Sequence, residues 1–275
     1  MTNLFNYIPK DSPIHRLTGA TKLAALLLLS FASMTTFDTR FLLFIVVLSF
    51  AMFSVSKIRL REVKALLIFT VVFMLLNNLL IYLFEPEQGV AIYGTRHVLC
   101  TLAGRYTVTE EQLFYHLNVV LKYLSMMPLV ILFVSTTNPS EFAASLNRIG
   151  VNYKICYSVS LALRYIPDIQ RSYHDISTAL QARGVEMTKK EKFVNRLKNV
   201  ATVLFPLIMT SMQKIEVISN AMELRSFGKN KKRTWYEADP FKKSDIFVFV
   251  LCGLLLLVSL LLNFVNKGRY FNPFI

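Results

Sequence analysis

The stretch that decides the fold lies near the end of the chain and reads Ile246-Phe-Val-Phe-Val-Leu-Cys-Gly-Leu-Leu-Leu-Leu-Val-Ser-Leu-Leu-Leu-Asn-Phe-Val265. None of its 20 residues carries a charge. A helix of about 20 apolar residues is long enough to cross the hydrocarbon core of a bilayer. This stretch therefore predicts a membrane-spanning helix.

Four further apolar stretches precede it, at residues 23–37, 41–55, 65–84 and roughly 117–136. The first two are short for a full span, so they must thin the bilayer or extend into their flanks. The mixed segment 85–113, with several glycines and acids, is interpreted as a surface loop with room for a short helix. The sequence thus predicts about five spans.

The composition agrees with a lipid-embedded chain. Hydrophobic residues make up 54% of the 275 residues and charged residues only 17%, against about 25% charged in ordinary soluble domains. The formal net charge is nevertheless +14. A nucleic-acid binder seldom carries uncharged runs of this length, so nucleic acid is not expected as a partner. The excess charge fits the positive-inside rule, and also docking to an acidic partner or anionic lipid.

The placement of lysine and arginine predicts the topology. A cluster of four cations, Lys57, Arg59, Arg61 and Lys64, follows the second apolar stretch. The region 137–245 holds 18 lysines or arginines against 10 acids. The expected arrangement in the cell membrane has a cytoplasmic N-terminus, five spans and an external C-terminus.

The region 137–245 has a different character from the spans. Apolar residues alternate there with charges at helical spacing, which predicts two long amphipathic helices at residues 155–183 and 193–227. Each contains one proline, Pro167 or Pro206, which is expected to kink it. The predicted fold is an all-α integral membrane protein with two amphipathic cytoplasmic helices. Its parts are a four-span region 1–136, a cytoplasmic or interfacial region 137–245, and a last span with its tail, 246–275.

The sequence offers little for catalysis. The four histidines are scattered, the three cysteines have no metal-ligand spacing, and no GxxxxGK[ST] phosphate loop occurs. We therefore expect a protein with no catalytic residues, no metal site and no bound cofactor.

Two short segments stand out at the predicted ends of the amphipathic helices. They are Ala179-Leu-Gln-Ala-Arg-Gly184 and Ala221-Met-Glu-Leu-Arg-Ser-Phe-Gly228. One interpretation is a helix end, since a cation in the last turn and a glycine after it favour a C-cap. The other is docking, since Arg183 and Arg225 each offer a planar fork that matches a carboxylate in a partner's groove.

These residues resemble a known family. Along most of its length the chain is similar to EcfT, the CbiQ-like transmembrane T-component of energy-coupling factor transporters. The likeness lies in residues 12–23, in Thr136-Thr-Asn-Pro-Ser-Glu-Phe-Ala-Ala-Ser-Leu146, in Leu161-Ala-Leu-Arg-Tyr-Ile-Pro167, and above all in the two X-Arg-X motifs.

The resemblance implies a non-catalytic subunit of an ATP-driven importer of a vitamin or trace metal. Its implied partners are two ABC ATPases of the EcfA type, which bind ATP and Mg²⁺, and a membrane S-component that captures the substrate. The implied ATPase-docking residues are Ala182, Arg183, Gly184, Leu224, Arg225 and Ser226. The second motif departs from the usual Ala-Arg-Gly, and the bulk of Leu224 puts tight packing there in doubt. The implied platform for the S-component is Leu161, Leu163, Val203, Leu204 and Ile208, for which internal packing is the competing interpretation.

Two other functions stay open on the residues alone. A self-contained secondary transporter would need an inverted repeat and ionisable groups inside its spans, but five spans do not divide equally and Lys122 is the clearest charge near one. An intramembrane enzyme would need paired acids, or His and Glu, at membrane depth. Glu216 and Glu223 share a helix face two turns apart, without a histidine.

Overall fold

A computed structural model describes residues 10–103, 106–185, 193–230, 234–235, 240–266 and 268–274. The chain forms two compact units, which we call the membrane unit (Met1–Ser145 with Ala238–Ile275) and the helical-pair unit (Leu146–Glu237). The chain therefore leaves the membrane unit once, after Ser145, and returns to it at Ala238.

The membrane unit is almost entirely helical. Its helices are α1 (Gly19–Thr35), α2 (Thr39–Val55), α3 (Lys64–Phe84), α4 (Gln88–Tyr93), α5 (Glu110–Thr136), most of α6 (Pro139–Arg148) and, after the other unit, α9 (Lys243–Val265). Helix α1 packs against α9, and α2 packs against α5. The main core joins these four helices through Leu29, Ala32, Phe41, Ile45, Leu129, Cys252 and Leu255. The Ser259 hydroxyl donates to the Ala32 carbonyl at 2.8 Å, so this buried hydroxyl of α9 has a partner on α1.

Four helices in the described parts of the chain are long and apolar enough to cross a membrane: Lys64–Phe84, Glu110–Thr136, Asn199–Leu224 and Lys243–Val265. Three of them correspond to predicted spans. The two predicted short spans are apolar helices of 17 residues each, α1 and α2. The third candidate corrects the sequence interpretation, which found no span-length apolar stretch in residues 193–227. Its uninterrupted run from Val203 to Met209 outweighs the few charges that follow.

The fold is not purely helical. The strands β1 (Val98–Ala103) and β2 (Tyr106–Thr109) form an antiparallel hairpin in the segment interpreted as a loop. Valine and threonine are frequent in both strands, and branching at Cβ favours extended backbone. The expected short helix in this segment is present as α4.

The helical-pair unit consists of α7 (Tyr153–Ala182) and α8 (Phe193–Leu224). Both helices continue through their prolines, Pro167 and Pro206. They run antiparallel, because Lys214 of α8 forms an ion pair with Asp168 of α7 at 2.8 Å, while Phe227, just after the end of α8, packs against Tyr157 near the beginning of α7. The end of α8 lies beside the beginning of α7.

Candidate functional site

The end of α7 has a defined hydrogen-bond pattern. The Gly184 N–H donates to the Gln181 carbonyl, and the Val185 N–H donates to the Leu180 carbonyl, each at 3.0 Å. Gly184 has a positive φ of 88°, a conformation that costs glycine little. This pair of bonds is the Schellman motif, and it satisfies carbonyls that a helix end leaves open. Arg183 is the residue at the turn, and its side chain is exposed.

The end of α8 repeats this pattern. The Ser226 N–H donates to the Glu223 carbonyl at 2.8 Å, and the Phe227 N–H donates to the Met222 carbonyl at 3.0 Å. Ser226 takes the left-handed conformation with a φ of 53°, which costs a residue with a Cβ about 1–2 kcal/mol. Arg225 is exposed and occupies the same position that Arg183 has in the first motif.

Both motifs present their arginine on the surface of the unit. The neighbouring residues Ala182, Gly184 and Ser226 are exposed as well. Leu224, whose bulk was the doubtful feature of the second motif, is 88% exposed. A leucine so exposed packs little within its own chain, and it is free to contact a partner.

The two motifs lie at opposite ends of the helical pair. The ring of Phe227, two residues after Arg225, packs against Tyr157 and Tyr153 at centroid distances of 4.7 and 5.8 Å. Arg225 therefore lies close to the first turns of α7, whereas Arg183 follows its last turn. At 1.5 Å per residue, the part of α7 between them is roughly 40 Å long. A single small ligand is too short to contact both arginines at once. The spacing is large enough for each arginine to contact a separate protein.

The apolar residues predicted as a platform fall into two groups. Leu204 and Ile208 are exposed, whereas Leu161 and Leu163 are half-buried and Val203 is fully buried. The exposed stripe on α8 also contains Phe205, Met209, Met212 and Ile215, which the sequence interpretation did not select. Their spacing of three and four residues is the helical signal that could have found them.

Groups that could support catalysis are dispersed in the described residues. No set of three or more His, Cys, Asp or Glu side chains there is arranged to hold a metal ion. Glu216 and Glu223 are both exposed on α8.

A sequence profile of the CbiQ family, described as cobalt transport protein, matches residues 10–236. The matched range contains both arginine motifs and most of the chain. The chain belongs to the CbiQ family.

Relatives along nearly the whole length agree with this assignment. The energy-coupling factor transporter transmembrane protein EcfT of Thermotoga maritima is 24% identical over 277 aligned positions, covering 96% of this chain and 93% of the relative. The EcfT of Thermosediminibacter oceani is 26% identical and covers 94% and 97%. The EcfT of Thermanaerovibrio acidaminovorans is 29% identical over 240 positions, or 82% of each chain.

Family membership confirms the main functional prediction. The chain is a multi-pass membrane protein and a non-catalytic transmembrane component of an energy-coupling factor transporter. The two alternatives considered on the residues alone, a self-contained secondary transporter and an intramembrane enzyme, do not describe this CbiQ-family protein.

Proposed function

We propose that this CbiQ-family chain is the coupling subunit of the importer, docking two cytosolic ABC ATPases through Arg183 and Arg225. Each arginine would reach a carboxylate in the groove of one ATPase. The observation that carries this proposal is the repeated helix-end geometry at the two far ends of one helical pair. ATP and Mg²⁺ would be bound by the ATPases, and the transported vitamin or trace metal by a separate S-component.

The exposed stripe of α8 supports a second contact. Leu204, Ile208 and Met212 are each more than two-fifths exposed on a helix outside the main core. Such an apolar surface is stable when covered by lipid or by another membrane protein. We assign the S-component to this stripe, with Leu161 and Leu163 at its margin, while Val203 supports it from inside. Pro167 and Pro206 would bend the two helices between their docking ends and this stripe.

The proposed topology has a cytoplasmic N-terminus, five spans and an external C-terminus. Residues 137–245 would be the cytoplasmic or interfacial coupling region between the four-span region 1–136 and the last span, 246–275. Although α8 is long enough to span, contacts in the membrane unit argue that it does not cross alone. Thr18 and Lys22, one turn apart on α1, contact Asp245 at the start of α9 and Thr136 at the end of α5. If the chain crossed the membrane once between Thr136 and Asp245, these two residues would lie on opposite sides of the bilayer, about 30 Å apart. Thr18 and Lys22 could not then contact both.

The experiment that tests the docking proposal is co-purification from membranes in a mild detergent. We compare the wild type with the Arg183→Glu, Arg225→Glu double variant. The wild type is expected to retain two ATPases and a small membrane protein, and the double variant only the membrane protein. Arg171→Glu is the matched control, because Arg171 is an exposed arginine within α7, about 18 Å along the helix from Arg183. Retention of the ATPases by the double variant, or their absence from the wild type, would overturn the proposal.

A further inference from the structure

The N-cap and the first turn of α1 contain a group of buried polar residues that none of the proposed roles uses. Thr18, Thr21 and Lys22 are each less than a tenth exposed. They belong to the N-terminal segment in which the chain resembles its family, yet they are far in sequence from both arginine motifs. Burial of so many polar groups costs free energy unless each has a partner. Their partners are located where the chain leaves and re-enters the membrane unit.

One set of contacts holds the returning chain. The backbone N–H of Thr18 donates to Asp245 Oδ1 at 3.0 Å, and its hydroxyl donates to the same oxygen at 3.2 Å. The other carboxylate oxygen of Asp245 accepts from the Lys242 N–H at 2.7 Å. Asp245 is completely buried. This carboxylate therefore fixes the first turn of α9, just after the chain returns at Ala238, to the first turn of α1.

A second set of contacts holds the departing chain. The Lys22 ammonium donates to the Thr136 carbonyl at the end of α5 at 2.9 Å, and it lies 3.6 Å from a carboxylate oxygen of Glu141 in α6. A cation at a helix C-terminus is favourable because it faces unpaired carbonyls. A Cβ added to Gly19 would lie 2.7 Å from Glu141 Cγ and from the Ser145 hydroxyl. Helix α6 is thus held against α1 as far as Ser145, where the chain leaves the membrane unit.

We propose that residues Thr18–Lys22, which we call the α1 anchor, fix both connections of the helical pair to the membrane helices. Directional bonds to buried partners resist sliding, which apolar contacts between helices permit more easily. Close-packed interiors transmit displacement, so a movement of the helical pair would be delivered to α1 at one place. The mechanical role of the anchor rests on the proposed coupling function. The rigidity of the anchor, by contrast, follows from its hydrogen bonds and does not depend on the coupling function.

The test compares Thr18→Val, which removes the hydroxyl, with Thr18→Ser, which keeps it. Spin labels are attached through cysteines introduced at Leu43 on α2 and at Ile246 on α9, both of them exposed and both in the membrane unit. In these proteins Cys100, Cys156 and Cys252 are replaced by serine. Distance distributions between the labels are measured by pulsed electron paramagnetic resonance on the full chain in nanodiscs, without partners. Thr70→Val is the control, because the Thr70 hydroxyl also donates to a carbonyl, but to that of Leu66 within its own helix, α3.

We expect Thr18→Val, and likewise Lys22→Met, to widen the distance distribution at least twofold, whereas Thr18→Ser and Thr70→Val leave it unchanged. If the Lys22→Met protein does not insert into the membrane, the distance distribution of Thr18→Val alone decides the test. An unchanged width in Thr18→Val would overturn the anchor.

A second arm uses the assembled complex. The anchor variants are expected to keep the ATPases and to hydrolyse ATP within about twofold of the wild-type rate, while the label distance no longer responds to ATP with vanadate. The mechanical role would be overturned if the label distance in the anchor variants responded to ATP with vanadate as in the wild type. It would also be overturned if the response fell only in proportion to the rate of ATP hydrolysis. Absence of ATPases from the wild type would instead overturn the proposed function and the mechanical role with it, and the rigidity result would stand by itself.

Discussion

The ring of Phe227 packs against the ring of Tyr157 with 4.7 Å between their centroids. This contact fastens the end of α8 to the second turn of α7. It fixes the backbone position of Arg225, two residues before Phe227, beside the start of α7. Most of the length of α7 therefore separates this arginine from Arg183. The two arginines that we propose as docking residues are therefore far enough apart to bind two different partners.

The Phe227→Ala variant tests whether this packing positions Arg225. The side chain is half-buried between two tyrosines, so we expect its removal to cost about 1–2 kcal/mol of unfolding free energy, less than a fully buried aromatic. Binding of the ATPase at the Arg225 end should weaken, and binding at the Arg183 end should not. Thermal unfolding in detergent and ATPase titration measure the two effects. Phe227→Tyr is the control that keeps the ring. Equal weakening at both ends would contradict a local positioning role.

The two arginines should contribute independently. We expect Arg183→Glu and Arg225→Glu each to cost about 3–5 kcal/mol at one docking site, since each leaves a carboxylate of the partner buried without its cation. Sites this far apart, with no shared partner, add within about 0.5 kcal/mol. Titration of the ATPases in nucleotide-free buffer against both single variants and the double variant measures this. Strong non-additivity would mean that the two ends share one partner surface.

The residue after each arginine gives a pair of opposite stability predictions. Gly184 and Ser226 both have positive φ, of 88° and 53°. Ser226→Gly should stabilise the chain by about 0.5 kcal/mol, because it removes the left-handed strain but adds freedom to the unfolded chain. Gly184→Ser should destabilise it by about 1 kcal/mol through backbone strain alone, since a Cβ there meets no atom within 4 Å. Thermal unfolding of the two variants in one detergent compares their signs. If both variants changed the stability in the same direction, residues 184 and 226 would not share the left-handed conformation in solution.

Local patterns in the sequence predicted most helices and the two helix ends at which Arg183 and Arg225 lie. Span-length apolar runs marked α3, α5 and α9, and the repeated Arg followed by Gly or Ser marked the ends of α7 and α8. The apolar length of α8 was underestimated because charges at its two ends masked the continuous run from Val203 to Met209. The hairpin was missed because its strands are only six and four residues long.

Contacts between distant residues could not be read from one sequence. The ion pair of Lys214 with Asp168 joins residues 46 positions apart, and together with the packing of Phe227 on Tyr157 it places the two arginines at opposite ends. The bond from Thr18 to Asp245 spans 227 positions. Each partner alone has an ordinary local interpretation, a helix cap or a surface charge, so nothing in the sequence signals that they meet.

The native cysteines offer a test of the proposed topology. Cys100 is exposed on β1, in the segment assigned to the external side. Cys156 and Cys252 are buried, and burial raises the pKa of the Cys156 thiol, which leaves less of the reactive thiolate. We therefore expect a membrane-impermeant maleimide to label intact cells at Cys100 and not at the other two positions. Labelling should disappear in Cys100→Ser.

The opposite side is probed by Leu60→Cys in the Cys100→Ser background. Leu60 is 64% exposed in the turn between α2 and α3, among the cations assigned to the cytoplasm. This cysteine should be protected in intact cells and should react only after permeabilisation, because the reagent cannot cross the bilayer. Gel shifts of the wild type, which reports Cys100, and of this variant, which reports residue 60, are measured in parallel cultures, so that the two sides are compared under one set of conditions. Protection of Cys100 together with labelling of residue 60 in intact cells would reverse the orientation, and the docking arginines would then lie on the side where no ATPase could reach them.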